Sequence, residues 1–296
     1  MAQVVQIPTL NDSRYGFEQL FDIWSQVNGY FEDVRFDFAR CSFLRPNAVA
    51  FLGGLARLVV SREGTAVFDW STLHDSAVMM NLRQNRFAGI FGLPSSGWSG
   101  NSIPYREDKV PSANGIMDYL ADDWLGRGWV QVSQRLRDAI VGRMWEIYAN
   151  AFEHAGSEIG VFSCGQHFPR TNELVLSVVD FGQGIVANVR NFLSRDPRAE
   201  KLTAASCLRW AFQRGTTTRP NGMARGVGLD LLKDFIRLNH GKLEAYSNEG
   251  YAIVDQGGER FANLPMSFEG TVFHITLQCD EALYRFADEM ADDLPF

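Results

Sequence analysis

The strongest constraint on how this 296-residue chain can fold is the order of three short segments in its second half. Glu146-Ile-Tyr-Ala-Asn150-Ala-Phe-Glu-His154 ends a long amphipathic run, and Asp180-Phe-Gly182-Gln-Gly184 closes a run of apolar residues. Arg225-Gly226-Val227-Gly228-Leu229 opens another helical pattern. In that order they describe a helix with a carboxylate and a carboxamide one turn apart, a strand ending in an acid at a glycine turn, and a glycine-rich approach to a helix N-terminus.

Periodicity places these segments among the elements. Residues 34–38 alternate apolar and polar as a strand, 48–60 have helical spacing, 65–70 read as a buried strand and 75–87 as a helix. Pro46 suits a first helical turn, where its missing N–H would be unpaired anyway. The stretch 93–104 is rich in Pro, Gly and Ser and reads as a loop or linker. Residues 116–125 are expected to be helical. Ser133 can cap a helix running to His154 with the apolar stripe Leu136, Ile140, Met144 and Ile147, and Gly156 suits its end. Strands are expected over 159–163, 173–180, 243–247, 251–255 and 270–277, with helices near 203–213 and over 228–239. The expectation is an α/β (α+β) chain of two domains, 1–110 and 111–296.

Composition narrows the function classes. Hydrophobic residues at 46% allow sizeable cores, and a net charge of −7 argues against nucleic-acid binding through a basic surface. Cys41, Cys164, Cys207 and Cys279 are scattered, without the spacing of a zinc site, and read as thiols in a reducing compartment. No secretory signal and no stretch long enough to span a bilayer is visible, so a cytoplasmic location without membrane association is expected.

The chemistry follows from residue type. Glu146, Asn150 and His154 share a ridge of the long helix. Asn150 offers a neutral oxygen to a hard cation such as Mg²⁺, which takes other ligands from phosphates and water. Glu146 can orient or deprotonate an attacking hydroxyl, or support the metal through a water. Asp180 at a strand end can accept an exocyclic amine while Gly182 and Gly184 let backbone approach a ring. The Gly226–Gly228 approach to a helix presents N–H groups to an anion. The long segment before it carries Arg214, Thr216 and Arg219, side chains suited to phosphate, and Arg225 adds a cation. Each segment alone is equally compatible with an ordinary helix face, a β-turn or a loop.

Taken together, the order Glu-x3-Asn-Ala-x2-His, Asp-x-Gly-x-Gly, Gly-x-Gly-Leu and finally Gly270-Thr271 resembles the Bergerat-fold (GHKL, histidine-kinase-like) ATPases over about residues 131–278. The resemblance implies a two-layer α/β sandwich with a mixed sheet that binds ATP and Mg²⁺. It assigns Glu146 as general base, Asn150 as Mg²⁺ ligand and Asp180 as the adenine-binding acid in a turn shaped by Gly182 and Gly184. It assigns Gly226-Val227-Gly228-Leu229 to the phosphate-facing hinge of a lid, Thr271 to the neighbourhood of adenine, and Phe212 to the lid aromatic. His154, a cation at a helix C-terminus, is favourable there without a ligand. Glu146 and the Glu-x3-Asn-Ala box look most like the anti-sigma-factor serine kinases.

Residues 34–92 are similar to STAS domains, although Pro46-Asn47 stands where that family carries a phosphorylatable serine; Ser42 lies in the preceding loop. The implied activity is ATP hydrolysis driving a lid-coupled switch that regulates a protein partner. The alternatives are a serine/threonine protein kinase acting on a separate STAS-type protein and a nucleotide-gated binding protein without turnover. Self-association as a homodimer is compatible with each.

Overall fold

The computed structural model describes residues 2–154, 156–157, 159–196, 199–213 and 228–290. The first elements are β1 (Gln3–Gln6), α1 (Arg14–Gln26), β2 (Asp33–Asp37), α2 (Pro46–Ser61) and β3 (Thr65–Asp69). The strands pair in parallel in the order β1-β2-β3. Right-handed crossovers between sequential neighbours place α1 and α2 on one face. That face buries Val5, Val34, Phe36 and Phe68, while Val4 and Val67 stay exposed on the other.

Helix α2 begins with Pro46 in its first turn, as its sequence suggests. Its residues from Pro46 to Ala56 are all buried, which accounts for an apolar run without a polar face. Asp75 caps α3 (Ser76–Gln84), accepting the N–H groups of Ala77 and Val78. The short helix α4 (Phe87–Ile90) follows.

The second sheet comprises β4 (Ser102–Asp108), β5 (Val161–Phe168), β6 (Glu173–Asp180), β7 (Lys242–Ser247), β8 (Gly250–Asp255), β9 (Gly258–Asn263) and β10 (Thr271–Gln278). Its order is β4-β5-β6-β10-β7-β8-β9. Every pairing is antiparallel, which corrects the expected mixed sheet. The reason lies in the connections: β5-β6, β7-β8 and β8-β9 are tight hairpins, and β10 returns between β6 and β7 running against both. Strand β4 also corrects the loop reading of its first residues. It sits at the sheet edge with a register shift between Ile103 and Arg106, where Pro104 is tolerated.

Helices α5 (Ala113–Asp118), α6 (Gln134–His154), α7 (Gly184–Phe192), α8 (Ala204–Ala211) and α9 (Gly228–Leu238) supply the remaining layer. Helix α5 runs on into a π-helical stretch over 119–124. Ser133 Oγ accepts the Leu136 N–H at the start of α6 (3.1 Å), and the stripe Leu136, Ile140, Met144 and Ile147 is buried. Among the described residues no helix is long and apolar enough to cross a membrane.

Alternation along β6 divides the two faces of this sheet. Leu174, Leu176 and Val178 pack into the core under α6, α8 and α9, whereas Val179 packs with α1 and α2. The stack is therefore three-stranded sheet, helices α1 and α2, seven-stranded sheet, then α5 to α9. Each large apolar side chain buried in these cores contributes about 1.5–3 kcal/mol.

Polar contacts fasten α2 and the α1 entry to the large sheet. Arg57 Nε meets Glu107 of β4 at 3.0 Å. Arg45 pairs with Asp12 at 2.9 Å and with Glu173 of β6 at 3.3 Å. Asp12 Oδ2 lies 3.3 Å from His274 Nε2, and His274 Nδ1 is 2.8 Å from Ser177 Oγ.

Candidate active site

Asp180 is the last residue of β6 and the register carries its surroundings. It lies opposite Val161 of β5 and Thr271 of β10, and Thr271 lies opposite Ser247 of β7. One cross-sheet row thus gathers residues distant in sequence at one end of the sheet. By the alternation of β6 the Asp180 side chain faces the layer of α6 to α9.

The turn after Asp180 is held by its own carboxylate. Asp180 Oδ1 accepts the Gly182 N–H at 3.0 Å, closing an Asx-type turn. Ser247 Oγ accepts the Ile185 N–H at 2.7 Å, donates to the Gly270 carbonyl at 3.0 Å and lies 3.0 Å from Thr271 Oγ1. Asn248 donates to the Gln183 carbonyl at 2.9 Å and accepts the Ala187 N–H at 3.2 Å. Gly184 has φ +80°, and a Cβ there would stand 2.8 Å from the Gly270 carbonyl oxygen. A side chain at this position is excluded by conformation and by space together.

Asp180 is only 5% exposed. Burial raises its pKa to about 7, against hydrogen bonds from the Gly182 N–H and from Thr271 that favour the charged form. Among the described residues, every group acting on this carboxylate is neutral, and no cation accompanies these donors.

The long helix lies over the same face. Tyr148 of α6 places its hydroxyl 2.7 Å from Ser163 Oγ of β5, the strand beside Asp180, and α6 packs along α9. Glu146 is half-buried and its carboxylate accepts from Arg143 Nη1 at 2.8 Å. Asn150 is exposed one turn further on. The loop leaving α6 approaches the Asp180 turn, since a Cβ on Gly156 would lie 3.7 Å from Gln183 Nε2.

The structure thus brings Asp180, Gly182 and Thr271 into one bonded cluster with Gly184 packed close to Gly270 and Asn248 beside it, and sets Glu146 and Asn150 on helix α6. Gly228 begins α9, and Leu229 packs against the core beneath it. Arg214, Thr216, Arg219, Arg225, Gly226 and Val227 lie outside the described residues. Phe212 is a core residue, packed edge-on to Phe261 with its carbonyl accepting from buried Lys233 at 2.6 Å. His154 ends α6.

Sequence reasoning missed Ser247 and Asn248, which hold the turn from β7 and its hairpin. The Ser-Asn pair at a strand end was a turn signal, but only the β10 pairing brings it to Asp180. Among the described residues no three of His, Cys, Asp or Glu converge as a metal site. No protein-family model and no curated protein sequence matches the chain.

Proposed function

We propose that this protein binds ATP with Mg²⁺ as a GHKL-type module and hydrolyses it to switch the state of a protein partner. The observation that carries this reading is Asp180: a buried carboxylate at a strand end, held among the described residues by neutral donors, beside a glycine turn and on the sheet face whose core α6 shares. An amine donor such as that of adenine would stabilise its charged form. Asn150, exposed on α6, would offer its amide oxygen to Mg²⁺, and the metal's other ligands would come from phosphates and water. Bound there, Mg²⁺ would neutralise charge developing on the transferred phosphoryl group. Glu146, on the same helix and steered by Arg143, would orient the attacking water as general base.

The test separates binding from turnover. Glu146→Ala is expected to abolish ATP hydrolysis while ATP affinity stays within about threefold of the unaltered protein. Undiminished hydrolysis would remove Glu146 from this role. Transfer of labelled phosphate to a protein, in place of its release, would favour the kinase reading.

A further inference from the structure

The residue between Asp180 and Gly182 points the other way. Phe181 is buried in the core shared with α1 and α2, its ring 5.1 Å from that of Phe51 on α2 and 6.2 Å from those of Phe162 and Phe268. Opposite it, α2 carries Gly53-Gly54 in its interior, where each glycine disfavours helix by about 1 kcal/mol relative to alanine. The packing explains Gly54. A Cβ there would stand 2.6 Å from Phe162 Cδ2 and 3.0 Å from Phe181 Cδ2, inside contact distance. The adjacent Gly53 is closed by Tyr105 in the same way.

Asp180 and Phe181 are consecutive at a strand end and face opposite sides of the sheet. The backbone that carries the carboxylate therefore moves with the ring. Close-packed interiors transmit such displacements because there is no void to absorb them.

We propose that helix α2 sets the position of the Asp180 carboxylate through the contact of Gly54 and Phe51 with Phe181, so that the N-terminal unit regulates affinity at the candidate nucleotide site. Phe181 is a positioning residue in this scheme, and the inference rests on the ATP-binding reading above. A partner that shifts α2 would change nucleotide affinity without touching the nucleotide.

The test uses the full chain with ATP as probe and calorimetric affinity, its pH profile and thermal stability as readouts. Gly54→Ala is expected to weaken ATP binding about tenfold and to move the pH midpoint of binding, a coupling typical of residues in contact. Adding Phe181→Leu, which makes room for the new methyl group, is expected to restore affinity and midpoint. Val34→Ala, in the three-stranded sheet beyond α2, is expected to lower stability and leave both unchanged. If Gly54→Ala does not fold, Phe181→Leu alone carries the test and is expected to weaken binding. Unchanged affinity in folded Gly54→Ala or in Phe181→Leu, or equal losses in Val34→Ala, would overturn the inference while leaving the site assignment standing. Unaltered protein that binds no ATP would overturn the site assignment itself.

Discussion

Two carboxylates facing opposite sides of the same sheet show how burial can be resolved in two ways. Asp12 meets the side packed against α1 and α2. Burial would raise its pKa, but His274, Arg45 and Lys242 outweigh it and hold the group down at about 2. Asp180 faces the helix layer, has no cation acting on it among the described residues and is raised to about 7 by burial. The first carboxylate is matched within the chain and acts as a fastening between the N-terminal unit and the sheet. The second is matched, among the described residues, by neutral donors alone, an arrangement that costs folding energy unless a further group supplies what is lacking. A buried acid with its partners present belongs to stability; one left short of partners is a candidate for binding.

The largest effect should come from breaking the matched side. Asp12→Ala leaves Arg45 and His274 facing an incomplete cluster and is expected to cost about 3 kcal/mol of stability, read from urea denaturation. The sign of its pH dependence is fixed by the depressed value. The stabilisation from Asp12 is present above its unfolded pKa of 3.8 and lost as pH falls toward about 2. An Asp12→Ala protein as stable as the parent at neutral pH would mean that the cluster fastens nothing.

The unmatched side should respond in the opposite sense. Asp180→Asn is expected to weaken ATP binding by about ten- to a hundredfold, the scale of a hydrogen bond to a charged acceptor. Stability should hold or rise at pH 8. Because the folded pKa lies above the unfolded value of 3.8, the parent loses stability as pH climbs through about 7, and the asparagine variant escapes that loss. A variant that loses stability at pH 8 and keeps its ATP affinity would reverse the contrast.

A smaller, graded effect sharpens the comparison further. A ligand that donates to the Asp180 carboxylate must displace its proton below about pH 7, so ATP affinity should fall by up to about tenfold for each unit below that value. Titrations between pH 5.5 and 8 give the slope directly; a flat profile in the parent, or a slope that persists in Asp180→Asn, would detach the carboxylate from binding.

Much of this arrangement was legible in the chain, for reasons that also mark where legibility ends. The helix of Glu146 and Asn150 has a regular stripe and a serine cap, and Asp180 closes an apolar strand before glycines, so local rules suffice. Strand β4 escaped because Pro104 and the glycines and serines before it signal a loop, and an edge position makes proline acceptable only once the sheet exists. Helix α7 hides behind the glycine at its start and its asparagines. Strand β9 is a polar edge strand with no buried face to betray it. The contacts that join the two sides, Asp12 with His274 and Phe181 with Gly54, depend on a helix between two sheets, and no local pattern specifies which residues such a helix will meet. The direction of the sheet was misjudged for the same reason, since hairpin closure and the return of β10 are matters of topology.

The most direct measurement is a calorimetric titration of the folded protein with ATP and Mg²⁺ at pH 8, repeated at pH 6 and with Asp180→Asn. The account predicts saturable binding at pH 8, weaker binding at pH 6, and a large loss of affinity in the variant. Folded protein that releases no heat with any adenosine nucleotide, or binding indifferent to both acid and the substitution, would contradict it.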